Sequence, residues 1–397
     1  MIEKGGDSKL APVSALTLLT AATISIFVYG MIASVAGSIV PQLSARMRLA
    51  PSQIGNLFLM QAAGMMVASL AFGPIVDSRG KKAGMLASLA LITLALVSFP
   101  QTSSHIGMFS CMALLGLGGG GLTTTASTLL SDINPGRRAV ILTLTKSSYG
   151  IGGFVTPMIG ATLLSGNTIA LCYVIAALAF VLLAVMVFIA FPPPSMREGF
   201  NIAAAGPLLS KPLLYLLSLT LFFYVACEVG MFNWLPKYLI ARGLAETTAL
   251  RIVSLGFALG LLIGRLAFAA VLLRVSARVV AVVSSIIMTA STAALLRTDG
   301  AIAAGVTAFV AGLAMAPMFP SIVALVGDCF PRATATAMGI AITSGWAGLA
   351  VSSRLIGAIS GRFEGGIATG MLVLPVFSAI LILLTLWLQK KTTTTTH

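Results

Sequence analysis

Four ionisable side chains stand inside long apolar runs of this chain: the carboxylate Glu228 and the cations Lys146, Arg265 and Arg354. At mid-helix in an apolar medium a charge costs at least about 2.5 kcal/mol, so each needs a partner, a wet cavity or a task. For Glu228 the task is proton carriage. Protonated when dry and ionised when wet or paired with Arg354, it would couple proton movement to that of a solute. The competing reading is a permanent Glu228–Arg354 ion pair that holds the second half of the chain together. Arg265 and Lys146 are candidates to hold a substrate carboxylate or phosphate. Alternatively, Arg265 neutralises helix-end carbonyls and Lys146 snorkels towards water.

Polar neighbours extend the set. Asn233 and Trp234 follow Glu228 by five and six residues. A Trp ring stacks on a sugar or anchors at a membrane interface, and both readings stand for Trp234. Gln61, Tyr29 and Tyr149 also lie well inside apolar runs. Each is a candidate donor to a cavity, or a hydrogen-bonding partner of a neighbouring helix.

The elements that must position these residues follow from composition. Hydrophobic residues make up 58% and charged residues 9% of 397 residues, with a mean hydropathy of +1.05. A soluble domain carries about a quarter charged residues, so the solvent here is a bilayer. The net charge of +14 is spread in ones and twos between apolar runs, which fits loop topology signals and excludes a nucleic-acid footprint. Four scattered cysteines offer neither a metal site nor a disulfide framework. "GLGGGG" (Gly116 to Gly121) lies inside an apolar run and reads as close helix packing, not as a phosphate loop. No Ser/His/Asp set is present and both histidines fall in a loop or the tail, so no enzyme, metal or cofactor is expected. The polar, mixed-charge start predicts no cleavable signal, and the terminal "TTTTTH" is assigned no role.

A spanning helix needs about 20 mainly apolar residues. Such runs occur near 15–43, 53–76, 83–100, 107–131, 138–164, 167–192, 212–236, 248–272, 277–296, 301–326, 334–359 and 367–389. The expected architecture is all-α, with about twelve spans in two halves of six. Residues 1–192 form the first half, 193–211 a cytoplasmic linker around "FPPPSMREGFN", and 212–397 the second half with a short polar tail. Lys and Arg favour one set of loops by roughly two to one, which places both termini in the cytoplasm.

The halves repeat. "SDINPGRRA" after the fourth run and "GDCFPRATA" after the tenth both set an aspartate three residues before a proline (Asp132 and Pro135; Asp328 and Pro331). Internal repeats mark secondary transporters, whose site lies between the repeats near mid-membrane. Between runs two and three stands "GPIVDSRGKKAG", with Gly73, Asp77, Arg79, Gly80, Lys81 and Lys82. This resembles the loop signature of the major facilitator superfamily. Arg265, Arg274 and Arg278 fit a degenerate second copy, with Leu273 and Ser276 in place of the acid and the glycine. Within the superfamily, "CEVGMFNWLPKYL", "GFALGLLIGRL" and "PGRRAVILTLTKSSYGIGGFVTP" are similar to sugar–proton symporters of the fucose–galactose–glucose type.

The resemblance implies alternating access, with Gly73, Asp77, Arg79, Gly80, Lys81, Asp132 and Asp328 forming conformational loops and a cytoplasmic charge latch. It also implies that helices five and eight meet across the halves, bringing Lys146 and Arg265 together as a cationic pair with no local acid. The expected protein is a monomeric inner-membrane transporter, a proton-coupled symporter of a small polar solute such as a sugar or sugar acid. Organic-anion transport or exchange through Arg265 and Lys146 is the alternative, and drug export ranks third.

Overall fold

The computed structural model describes residues 15–133, 138–191, 208–271, 274–330 and 334–393. They are helical, with no strand among them. A bilayer leaves few other options, because backbone groups in hydrocarbon must be paired within their own segment. Hydroxyls obey the same constraint by bonding one turn back, as Ser25 does to the Ala21 carbonyl and Thr385 to that of Leu381, both at 2.8 Å.

Among the described residues, ten helices are long and apolar enough to span: α1 (Ala15–Met47), α2 (Pro51–Gly73), α3 (Ser78–Gln101), α4 (His105–Leu130), α6 (Thr168–Phe188), α7 (Pro212–Ala241), α8 (Glu246–Phe268), α9 (Ala277–Leu295), α10 (Ala301–Cys329) and α12 (Gly366–Gln389). Two more occupy the fifth and eleventh places, α5 (Arg138–Thr162) and α11 (Thr334–Arg362). The set matches the expected twelve runs. Helices α2 and α3 belong to one helical run broken at Gly80, whose φ of 86° is open to glycine but strained for other residues. The expected linker falls mostly on residues outside the described set, as do the Pro135 and Pro331 turns.

Small residues fix the pairings, since close backbone approach is what packs helices in lipid. A side chain on Gly152 would strike the Phe27 carbonyl, which seats α5 on α1. The same contact recurs between Gly348 and the Phe222 carbonyl, which seats α11 on α7. Gly116 against the Gln61 carbonyl joins α4 to α2, and Gly312 against the Phe257 carbonyl joins α10 to α8. Each second-half contact lies about 196 positions after its first-half counterpart, so the repeat seen in the loops extends through the helix seams.

The two sets of six meet along α1·α7, α2·α11 and α5·α8. Gly37 on α1 abuts the Phe232 carbonyl of α7. On α2, Gly55 faces the Ser353 carbonyl of α11, and Gly357 of α11 faces the Pro51 carbonyl in return. Lys237 Nζ at the end of α7 donates to Ser44 Oγ of α1 at 3.0 Å. Ser254 Oγ of α8 donates to the Phe154 carbonyl of α5 at 2.6 Å.

Candidate functional site

Glu228 is the seventeenth residue of the 30-residue helix α7, close to its midpoint. The run expected from sequence ends at 236 and would leave Glu228 nearer that end than the middle. The structure corrects this. Helix α7 continues to Ala241, and α8 carries a π-helical stretch, Ile252–Ala258, before the segment that holds Arg265. One extra residue per turn there shifts the faces that follow. Arg265 Nη2 thereby reaches Glu228 Oε1 at 3.1 Å, with side chains 9% and 6% exposed.

The other carboxylate oxygen is also held. Tyr224, one turn earlier on α7, donates its hydroxyl to Glu228 Oε2 at 2.5 Å and is fully buried. The first half supplies the rest. The Arg265 guanidinium lies 4.7 Å from the centroid of the Tyr149 ring on α5, a cation–π distance. That ring packs on Tyr29 of α1, with centroids 5.4 Å apart at 35°. A carboxylate, a guanidinium and three tyrosines from α1, α5, α7 and α8 therefore form one buried cluster across the two sets of helices.

The expected Glu228–Arg354 pairing is overturned. Arg354 is exposed on α11 and is not the partner of Glu228, which pairs with Arg265 instead. Nor is Arg265 part of a cation pair without an acid, because Glu228 already matches its charge. Lys146 lies on α5, but its side chain falls outside the described residues. A lone buried charge is unstable, so the nearest opposite charge in the fold closes the pair.

Gln61, Asn233 and Trp234 are buried. Trp234 is fully enclosed and meets Phe58 of α2 edge-on at 5.4 Å, which removes the interfacial-anchor reading. Gln61 Oε1, both amide atoms of Asn233 and Trp234 Nε1 have no hydrogen-bond partner. Around the break at Gly80, Arg79 is exposed and Lys81 is buried, while Lys82 Nζ caps the Val187 carbonyl at the end of α6 at 2.6 Å. No contact marks Gly73, and Asp328 is exposed on α10. The side chains of Asp77 and Asp132 lie outside the described residues. Among the described residues, no group of His, Cys, Asp or Glu is placed to hold a metal.

Sequence reasoning missed Tyr224. Its signal was the i, i+4 spacing to Glu228, which brings two side chains together on one helix face.

Comparison with known proteins adds the following. A model of the family described as Major Facilitator Superfamily matches residues 22–304. "Bypass of stop codon protein 6" of Saccharomyces cerevisiae is 24% identical over 275 residues, covering 62% of this chain and 55% of that protein. A TsgA homologue of Erwinia tasmaniensis is 25% identical over 260 residues, covering 63% and 64%. The benzoate transport protein of Acinetobacter baylyi is 28% identical over 185 residues, covering 45% and 39%. The chain thus spans less than two thirds of the length of these relatives. Among solved structures, a D-xylose–proton symporter superposes with a TM-score of 0.76 at 14% identity, over 94% of this chain and 97% of that one. The nucleoside transporter NupG gives 0.77 at 16% identity, over 94% and 98%.

Proposed function

The chain belongs to the Major Facilitator Superfamily, and from that premise we propose that it couples protons to the movement of a small polar organic acid by alternating access. As a member it is an integral membrane transporter of small molecules and not an enzyme. The acid is a sugar acid or a simple carboxylate. The observation that carries this reading is the buried Glu228–Arg265 pair. Removing the charge from one partner of a buried pair leaves the other uncompensated. A proton on Glu228 therefore releases Arg265 to a substrate carboxylate. Loss of the proton on the far side restores the pair and expels the substrate. Tyr149 keeps the guanidinium in place during the exchange through its ring face. The name of the benzoate transporter is consistent with a carboxylate solute.

A neutral sugar is the second reading, as in the fucose–galactose–glucose type. It is favoured by the unpartnered amide atoms of Gln61 and Asn233, which sugar hydroxyls would satisfy. Lys146 and Arg354 have lesser roles under either reading. The loop residues Gly73, Asp77, Arg79, Gly80, Lys81, Asp132 and Asp328 steer the exchange between states. The protein acts as a monomer in a bacterial inner membrane with both termini cytoplasmic. The close approach of α1 to α7 and of α2 to α11 then lies at the external end.

The test uses full-length protein in liposomes with an imposed pH gradient and labelled gluconate, benzoate or glucose as probes. Gradient-driven accumulation of an acid, abolished by Glu228→Gln while counterflow exchange persists, is the expected result. Undiminished accumulation by the Glu228→Gln protein overturns the coupling role, and accumulation of glucose alone selects the second reading.

A further inference from the structure

Between α8 and α10 the surface is hollowed into a groove of about 370 Å³. Its floor is backbone. A Cβ on Gly256 of α8 would come within 2.9 Å of the Gly305 carbonyl of α10, so the two helices meet there without side chains. Its walls are Leu255 of α8 and Ile302 and Val306 of α10, which stand 48%, 85% and 58% exposed. Phe309 lines the deep end, seven residues and about 10 Å along α10 from Ile302. Apolar walls are ordinary on a helix that faces hydrocarbon, but a hollow is not neutral. Lining atoms with nothing opposite them forfeit their dispersion contacts, and a hydrocarbon chain laid along the groove restores them.

The other end of the groove is polar. Thr248 and Arg251 line it, three residues apart and therefore on one face of α8. Arg251 is exposed, and its guanidinium makes no ion pair or hydrogen bond with another described residue. It stands five residues inside the start of α8, about 8 Å along the axis, a depth from which its long side chain reaches headgroup level. A cation and a hydroxyl at the headgroup end of an otherwise apolar groove complement one kind of molecule. We propose that the groove holds a single anionic phospholipid, with its phosphate on Arg251 and Thr248 and one acyl chain between α8 and α10. A guanidinium offers a phosphate two parallel N–H donors, and a headgroup of net negative charge adds an attraction that a zwitterionic one lacks. Arg265 lies fourteen residues further along α8, about 21 Å away, so the lipid site stands independently of the coupling role of Glu228.

Native mass spectrometry tests this on the full chain, freed of lipid in non-ionic detergent. The protein is given equal amounts of phosphatidylglycerol and phosphatidylcholine with the same acyl chains. The wild type is expected to keep one phosphatidylglycerol at collision energies that strip phosphatidylcholine. Arg251→Gln should lower that retention about fivefold, the share of one arginine at an anionic headgroup. Gly305→Leu fills the groove from its floor. A Cβ there meets no atom within 4 Å, so the variant should fold, with a thermal midpoint in lipid-free detergent equal to or above that of the wild type. It should nonetheless lose the retained phosphatidylglycerol. Equal retention of the two lipids by the wild type would reduce the groove to ordinary lipid contact and overturn the proposal. Unchanged retention in either variant overturns it as well. Displacement of the lipid by an equal concentration of glycerol 3-phosphate would show a headgroup site without a chain site, which also overturns it.

Discussion

A carboxylate and a guanidinium that are buried together stabilise each other only as a pair. Removing one partner strands the other and costs about 3–5 kcal/mol, whereas replacing both with neutral groups is far milder. Arg265→Ala is therefore expected to lower the stability of the purified protein steeply. The double variant Glu228→Gln/Arg265→Gln should recover most of that loss in the same denaturation assay. Equal losses in the single and the double variant would show that the pair is not what the Arg265 side chain supports. Asn233 makes the opposite case. Both of its amide atoms are buried without partners, so Asn233→Leu removes a desolvation cost and should raise the thermal midpoint in detergent. Ser254→Ala, which removes the hydroxyl that bonds the Phe154 carbonyl across the α5·α8 seam, should lower it.

At the scale of the helix, backbone contact sets what can move. The α1·α7 seam has room for no side chain at Gly37, because a Cβ there would collide with the Phe232 carbonyl. Rigid backbone cannot yield as a flexible side chain would, so Gly37→Val should hold the two helices apart. Transport is expected to vanish while the protein remains folded. A Ser44→Cys reporter near the end of α1, buried beneath Lys237, should become more reactive to a water-soluble maleimide in that background. Unchanged labelling would mean that α1 and α7 adapt without parting. The π-helical stretch of α8 matters at the same scale, since it rotates Arg265 relative to the residues before it.

For the whole molecule, alternating access requires the contacts between the two sets of helices to break once per cycle. Cysteines at Ser44 and Lys237, bridged by a short bifunctional crosslinker, are expected to arrest transport in proteoliposomes, and a reducible linker should restore it. Transport that continues through the bridge would place the moving seam elsewhere. The recurrence of the glycine seams at about 196 positions gives the two sets of helices the same internal packing. Under the alternating-access reading each set moves as a unit, with Glu228 and Arg265 on one side of the divide and Tyr29 and Tyr149 on the other.

The sequence by itself determined the solvent, the twelve helical runs, the repeat and the residues worth suspecting, because apolar runs of spanning length and charges within them are local properties. Glu228, Arg265, Tyr29 and Tyr149 were all legible in this way, and the structure brings them together. The choice of Arg265 over Arg354 as the partner of Glu228 was not legible. Pairing depends on where helices cross and on how each is rotated. Here those follow from the length of α7, the π-helical stretch in α8 and the backbone seams of small residues. Tyr224 lay between these cases. Its spacing to Glu228 was visible, but only the tertiary fold, by giving Oε1 to Arg265, left Oε2 for its hydroxyl.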